Sequence, residues 1–246
     1  MLRSHEWSDE YRTGELEPLE HFYKPAMERS STYWRASGYF TSGYLNLLGT
    51  SLEQFVQREG RMLLVTSLHL SSEDLKAIED GLSVEEAVEK EVLRLVQNFS
   101  APLPPGVDVL TALLRLGRLE IQIAQRSNGG LYHEKLGVFF EEPCEDPHEA
   151  MRGTDFATAA GSDFVTFSGS QNETKAGNVS NYESIDVYTS WEDQRRARKK
   201  AAHFWNLWTG QANEIRTFRF PEAAAKVLER KASTPSQPRG EAPPED

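Results

Sequence analysis

Residues 165–187 read VTFSGSQNETKAGNVSNYESIDV, and the two ends of this stretch decide the fold class. Val165–Ser170 and Ser184–Tyr188 carry the short apolar runs of β-strands, and the polar residues between them form a connection. The first strand ends in Gly169-Ser170-Gln171-Asn172, and the second is entered through Asn181-Tyr182-Glu183. Upstream, Leu131–Phe140 predicts another strand, which contains His133-Glu134-Lys135. Its period of two places His133 and Lys135 on one face. Imidazole, ammonium, hydroxyl, carboxamide and carboxylate therefore gather at or beside strand ends.

Further outward the pattern alternates. Arg35–Phe40 is a candidate strand, Leu45–Arg58 a helix ending at Gly60, and Arg61–Leu70 a buried strand. Ser71-Ser72-Glu73-Asp74 starts a helix that runs to Gly81. Ser83 and Glu86 form a capping box ahead of Val84, Val88, Val92, Leu95, Val96 and Phe99, which predicts an amphipathic helix over 84–99. Val109–Leu116 is a short helix, and Leu119–Ala124 alternates as a strand before the turn Ser127-Asn128-Gly129-Gly130. Trp191–Trp208 is a helix with Ala197, Ala201, Phe204, Trp205 and Trp208 on one face. The expected fold is mixed α/β, one domain over 21–231 with a central mixed sheet flanked by helices. Residues 1–20 are expected as a polar arm, 141–163 as an inserted acidic loop and 232–246 as a Pro-rich tail.

Composition narrows the function classes. A chain of 246 residues is one or two domains at ~150 residues each. No apolar run approaches the ~18 residues of a membrane span, and the first thirty residues lack a signal-peptide core, so the expected location is cytoplasmic with no membrane partner. Cys144 is the only cysteine, which excludes an intramolecular disulfide and any CxxC zinc site. The net charge of −11 opposes unaided nucleic-acid binding, which draws on phosphate contacts by basic residues. Arg195, Arg196, Arg198, Lys199 and Lys200 form the one dense basic run. It reads as a solvated helix face, with contact to DNA phosphates as the alternative. The tryptophans at 191, 205 and 208 read as core before base-stacking platforms.

Several site signatures are missing. There is no GxxxxGK loop; Gly137 stands where a zincin helix after His133-Glu134 needs its second histidine; Ser170 lacks the GxSxG elbow. No metal or organic cofactor is implied. The residues that remain suit a tetrahedral anion. Lys135, Ser170 and Asn172 can donate to phosphoryl oxygens, His133 can attack phosphorus or move protons, and Glu183 can orient an imidazole. Taken singly, His133 and Lys135 are a half-exposed strand face, Ser170 and Asn172 turn residues, and Glu183 a surface carboxylate.

In order, His133-x-Lys135, GSxN at 169–172, Asn181-x-Glu183 and Phe204-Trp205-x-x-Trp208 resemble the phospholipase D superfamily, most nearly its small bacterial nucleases. Phe22–Gly81 resembles the phospholipase D-like domain fused to large bacterial helicases of defence and restriction systems. The resemblance implies catalytic roles for His133, Lys135, Ser170, Asn172 and Glu183. Gly169, Gln171, Arg195, Arg196 and Lys199 are then expected to contact substrate. It also implies a metal-independent reaction in which one histidine forms a phosphohistidine and a second protonates the leaving oxygen. Of six histidines only His133 has a lysine two residues on, so the second must come from another copy, which implies a homodimer. Two departures stand out: Phe140 occupies the family's usual Asp position, with Glu141 next, and about twenty extra residues separate the motif halves.

The leading expectation is a DNA phosphodiesterase delivered to its substrate by a helicase or ATPase partner. The alternative is a catalytically silent phospholipase D-like DNA-binding or scaffold subunit, which the Phe140 departure and the insertion favour. Lipid hydrolysis is third, disfavoured by the lack of any membrane-seeking segment.

Overall fold

The computed structural model describes residues 1–38, 40–67, 84–98, 106–127, 132–144, 163–170 and 181–233. Its centre is an eight-stranded mixed sheet. The strands are β1 (Glu10–Arg12), β2 (Thr32–Ser37), β3 (Arg61–Ser67), β4 (Leu119–Arg126), β5 (Lys135–Phe140), β6 (Phe164–Gly169), β7 (Ser184–Thr189) and β8 (Ile215–Arg219), in spatial order β1-β7-β6-β5-β2-β3-β4-β8. β2, β3 and β4 run parallel to one another, and every other pairing is antiparallel. The described helices are α1 (Lys24–Glu28, led by a π-helical turn over Leu19–Tyr23), α2 (Gly43–Leu48), α3 (Thr50–Gln57), α4 (Val84–Gln97), α5 (Val107–Arg115), α6 (Gln194–Trp208) and α7 (Glu222–Ser233). The parallel strands are joined through helices, as parallel pairs require. The mixed α/β reading holds.

Each face of the sheet has its own core. On one, Tyr33 and Phe139 lie directly opposite in register and stack with ring centroids 4.1 Å apart. Phe22 makes edge contacts to Phe139 and Phe167 there, and α4, α5 and α7 complete that layer. On the other face, Trp34 stacks on Phe204 and Trp205 of α6, with Leu136, Val138, Phe140 and Phe164 around them. Each such fully buried large apolar side chain contributes about 1.5–3 kcal/mol. β2 and β5 are buried along their whole lengths because they are central and covered on both sides.

The structure differs from the sequence reading in several places. Residues 1–20 are not an arm but part of the fold. β1 pairs with β7, Tyr11 and Leu2 are buried, and the Leu2 N–H donates to a Glu141 carboxylate oxygen at 2.7 Å. The helix expected over Leu45–Arg58 is two helices, broken at Gly49 (φ 52°, ψ −128°). The strand expected over Arg35–Phe40 starts earlier, at Thr32, and ends at Ser37. β5 begins at Lys135, so His133 and Glu134 precede the strand instead of lying in it. α6 starts at Gln194, after a turn, and not at Trp191. The helix start at 71–74, the turn residues 128–130, most of the 141–163 loop and the tail beyond 233 lie outside the described residues. Trp205 is buried in the α6 core, in keeping with the packing reading.

Candidate phosphodiester site

Register alone brings the motif halves together. Ser37 lies opposite Lys135, Leu136 opposite Ser168, and Gly169 opposite Ile185. The end of β2, the start of β5, the end of β6 and the entry to β7 thus form one edge of the sheet. His133, Lys135, Ser170 and Glu183 all sit on it.

Lys135 is buried, and its ammonium is 2.9 Å from Nδ1 and 3.0 Å from Nε2 of His133. It also donates to the His133 carbonyl at 3.0 Å. The lysine thus holds both the backbone and the ring of the histidine, which itself stays exposed to solvent. Gly38 makes this possible: a Cβ there would come within 3.0 Å of both Cα and Cδ2 of His133. The missing side chain lets the histidine lie against the end of β2.

Burial, and after it the guanidinium of Arg35, lower the Lys135 pKa, while Glu183 acts the other way. Arg35 is a residue the sequence reading missed. It is 1% exposed, in the middle of the otherwise uncharged buried strand β2, and its guanidinium lies 4.9 Å over the Phe167 ring. Arg35, Gly137 and Phe167 follow one another across β2, β5 and β6. A Cβ on Gly137 would meet the Phe167 ring at 2.3 Å, so the glycine opens the space the ring occupies beside the arginine. A second, buried positive charge therefore underlies the ammonium, an arrangement that favours an anion at this end of the sheet. The legible signal was the single charge within Thr-Tyr-Trp-Arg-Ala-Ser.

Glu183 is buried, and its Oε1 accepts from Asn181 Nδ2 at 3.2 Å. Its backbone is clamped by Thr13: the Thr13 N–H donates to the Glu183 carbonyl at 3.0 Å, and the Glu183 N–H donates to Thr13 Oγ1 at 3.1 Å. Ser170 is exposed, and its Oγ accepts from the Ser184 N–H at 3.2 Å. Asn172 and Gln171 lie outside the described residues. Phe140, at the far end of β5, is fully buried against Trp34 and Phe164 on the α6 side. A carboxylate there would be desolvated in an apolar layer, remote from the Lys135 end.

The expected substrate-contacting cations do not join this cluster. Arg195, Arg196 and Lys199 are on α6, which packs against the opposite face of the sheet from the row containing Lys135. Arg196 stacks over Tyr188 at 5.5 Å, and Arg196 and Lys199 line a cavity with Glu134, Tyr188, Lys200 and His203. Arg195 is exposed and lines no part of it. Among the described residues, no helix is long and apolar enough to cross a membrane.

No family model matches this chain, and no curated protein does. Among solved structures it is similar to NucT from Helicobacter pylori (9% identity, TM-score 0.43, covering 85% of this chain and 97% of that one). It is likewise similar to Nuc from Salmonella typhimurium, described as a phospholipase D family member (14% identity, TM-score 0.44, 85% and 96%). A third similar structure is phosphatidylserine synthase from Haemophilus influenzae (10% identity, TM-score 0.42, 90% and 44%).

Proposed function

We propose that the chain is a cytoplasmic, metal-independent phosphodiesterase that cleaves DNA through a phosphohistidine at a site shared by two copies. One observation carries this reading. An exposed imidazole is gripped by a buried ammonium, with a buried carboxylate and a serine hydroxyl on the same sheet edge.

A ring nitrogen of His133 attacks phosphorus, forming a P–N bond as the P–O bond to the leaving group breaks. His133 of a second copy gives its proton to the departing oxygen. Water then attacks the phosphohistidine, that second imidazole takes its proton, and the P–N bond breaks to release a phosphomonoester. Lys135, Ser170 and Asn172 donate to the non-bridging oxygens as charge grows on them, and Glu183 steadies the imidazole. The second copy is required because His133 is the only histidine with a lysine two positions on. The net charge of −11 and the upstream resemblance support delivery to DNA by a helicase-like ATPase in a bacterial defence or restriction system.

The test is plasmid and single-stranded DNA incubated in EDTA with wild type and His133→Ala, with molar mass read by light scattering. Cleavage by a wild-type dimer and none by the variant is the expected result. Dependence on Mg²⁺, or activity in a monomer, refutes the mechanism. Binding by both proteins with turnover by neither favours the silent scaffold.

A further inference from the structure

The geometry points to a second anion subsite on the α6 face, built to hold a phosphodiester that flanks the one being cut. It deepens the proposed function and rests on it for the identity of the polymer. The cavity holds about 370 Å³ and is lined by Glu134, Tyr188, Arg196, Lys199, Lys200 and His203.

Its charge is one-sided. Among the described residues Arg196, Lys199 and Lys200 form no ion pair, whereas the single lining carboxylate, Glu134, is engaged by His203 Nε2 at 2.9 Å and by the Tyr132 hydroxyl at 3.2 Å. With His203 protonated, four cationic lining groups stand against one committed lining carboxylate, with Asp186 and Asp193 beyond the lining, near Tyr188. The hydrogen bond and charge of Glu134 raise the His203 pKa against the effects of burial, Lys200 and Lys199, which favours that protonated form. On a chain with a net charge of −11, such a surplus is a local feature and not a reflection of overall composition. Arg196 and Lys199 are exposed, so the surface is reachable by a polymer.

Position argues for the flanking phosphodiester. Glu134 stands between His133 and Lys135, and consecutive Cα atoms are about 3.8 Å apart. The backbone alternation sends Lys135 to one face of the sheet and Glu134 to the α6 face. A strand whose scissile phosphate meets His133 therefore needs to pass only around the end of β5 to lay its next phosphate among Arg196, Lys199 and Lys200.

The experiment uses a short labelled single-stranded oligonucleotide, with His133→Ala as the parent so that the probe stays intact. Its affinity is followed by fluorescence anisotropy against salt, with and without Arg196→Ala/Lys199→Ala/Lys200→Ala. Three phosphate contacts add about 2 to the log–log salt slope, so from about 50 to 200 mM salt the parent should lose about 20-fold more affinity than the triple variant. Lys199→Arg/Lys200→Arg should keep the parental slope. An unchanged slope in a folded triple variant overturns the subsite, and so does equal displacement of the probe by polyglutamate. In a His133-intact background, the triple variant should lose more kcat/KM on the oligonucleotide than on bis(p-nitrophenyl) phosphate, because that diester has no flanking phosphate. An equal loss on both substrates refutes a separate subsite. Pocket-dependent binding without turnover of any diester leaves the subsite standing and removes the proposed chemistry.

Discussion

Replacing Gly38 by alanine tests whether the histidine is positioned by the end of β2. The added methyl group would sit 3.0 Å from His133 Cα and Cδ2, where ordinary contact is 3.4–4 Å, and 3.3 Å from the Tyr132 carbonyl oxygen. About 0.4 Å must therefore be found. The strands on either side are buried, but His133 lies outside β5 and is exposed, so it is the part that gives way. Stability should fall by only about 1 kcal/mol, the low end for overpacking. For a domain of this size that is about 2–4 °C in Tm. Catalysis should suffer more in proportion. Misplacement by 1 Å costs on the order of 100-fold, so 0.4 Å predicts a kcat lower by about 5–10-fold with KM little changed. The assay is bis(p-nitrophenyl) phosphate hydrolysis in EDTA beside a thermal melt, with the His133 ring resonances followed by NMR. A Gly38→Ala protein with unshifted His133 resonances and kcat within about twofold of wild type would refute the positioning argument.

Two further outcomes follow from the same geometry. Thr13→Val removes the acceptor of the Glu183 N–H and should cost about 1–3 kcal/mol in a denaturant titration, with activity falling more than it does in Tyr11→Phe. The Glu134–His203 pair should show a pH-dependent coupling in a double-mutant cycle with Glu134→Gln and His203→Gln. The His203 pKa is raised from 6.5, so its contribution is complete below that value and fades as pH rises through the raised one. Burial pushes the Glu134 carboxyl up, but the hydrogen bond and charge of His203, with Tyr132 and Lys200, carry it below 4.5. Its contribution is complete above 4.5 and is lost as pH falls through the lowered value. Coupling of about 0.5 kcal/mol is expected between these limits, because both groups are partly exposed, and none well above the His203 value. Coupling that grows with alkalinity would contradict the assignment.

What the sequence made legible was local chemistry. His133-x-Lys135 and Asn181-x-Glu183 are short motifs whose spacing survives any register; β4 announced itself by alternation, and β5, β6 and β7 by short apolar runs. The long-range supports were not legible. Thr13 is an ordinary threonine in a polar segment until β1 pairs with β7, and nothing near it in the chain signals a partner at 183. β8 and α7 went unread: only Phe218 of β8 is buried, and α7 buries just Ala224, Val227 and Leu228, too short an apolar pattern to stand out. Period two placed His133 and Lys135 side by side, and they are, but through the lysine reaching back to a residue outside the strand. For the basic run, the reading of a solvated helix face left open which side of the sheet α6 covers, and Arg195, Arg196 and Lys199 are exposed on it. The 3.6-residue period shows which α6 residues share a side, but not which surface of the sheet that side will meet.

The clamp between Thr13 and Glu183 also has a consequence in time. These residues are 170 positions apart, so a chain leaving the ribosome exposes Thr13 long before its partner exists. At about 5–20 residues per second, β1 waits roughly 10–35 s for β7. Through that interval β2–β5 can pair, yet the carboxylate at the site has not been synthesised. A protein with this topology carries its own delay: Glu183 meets Thr13 only once β7 has been made, while β8 has still to be added at the opposite edge of the sheet.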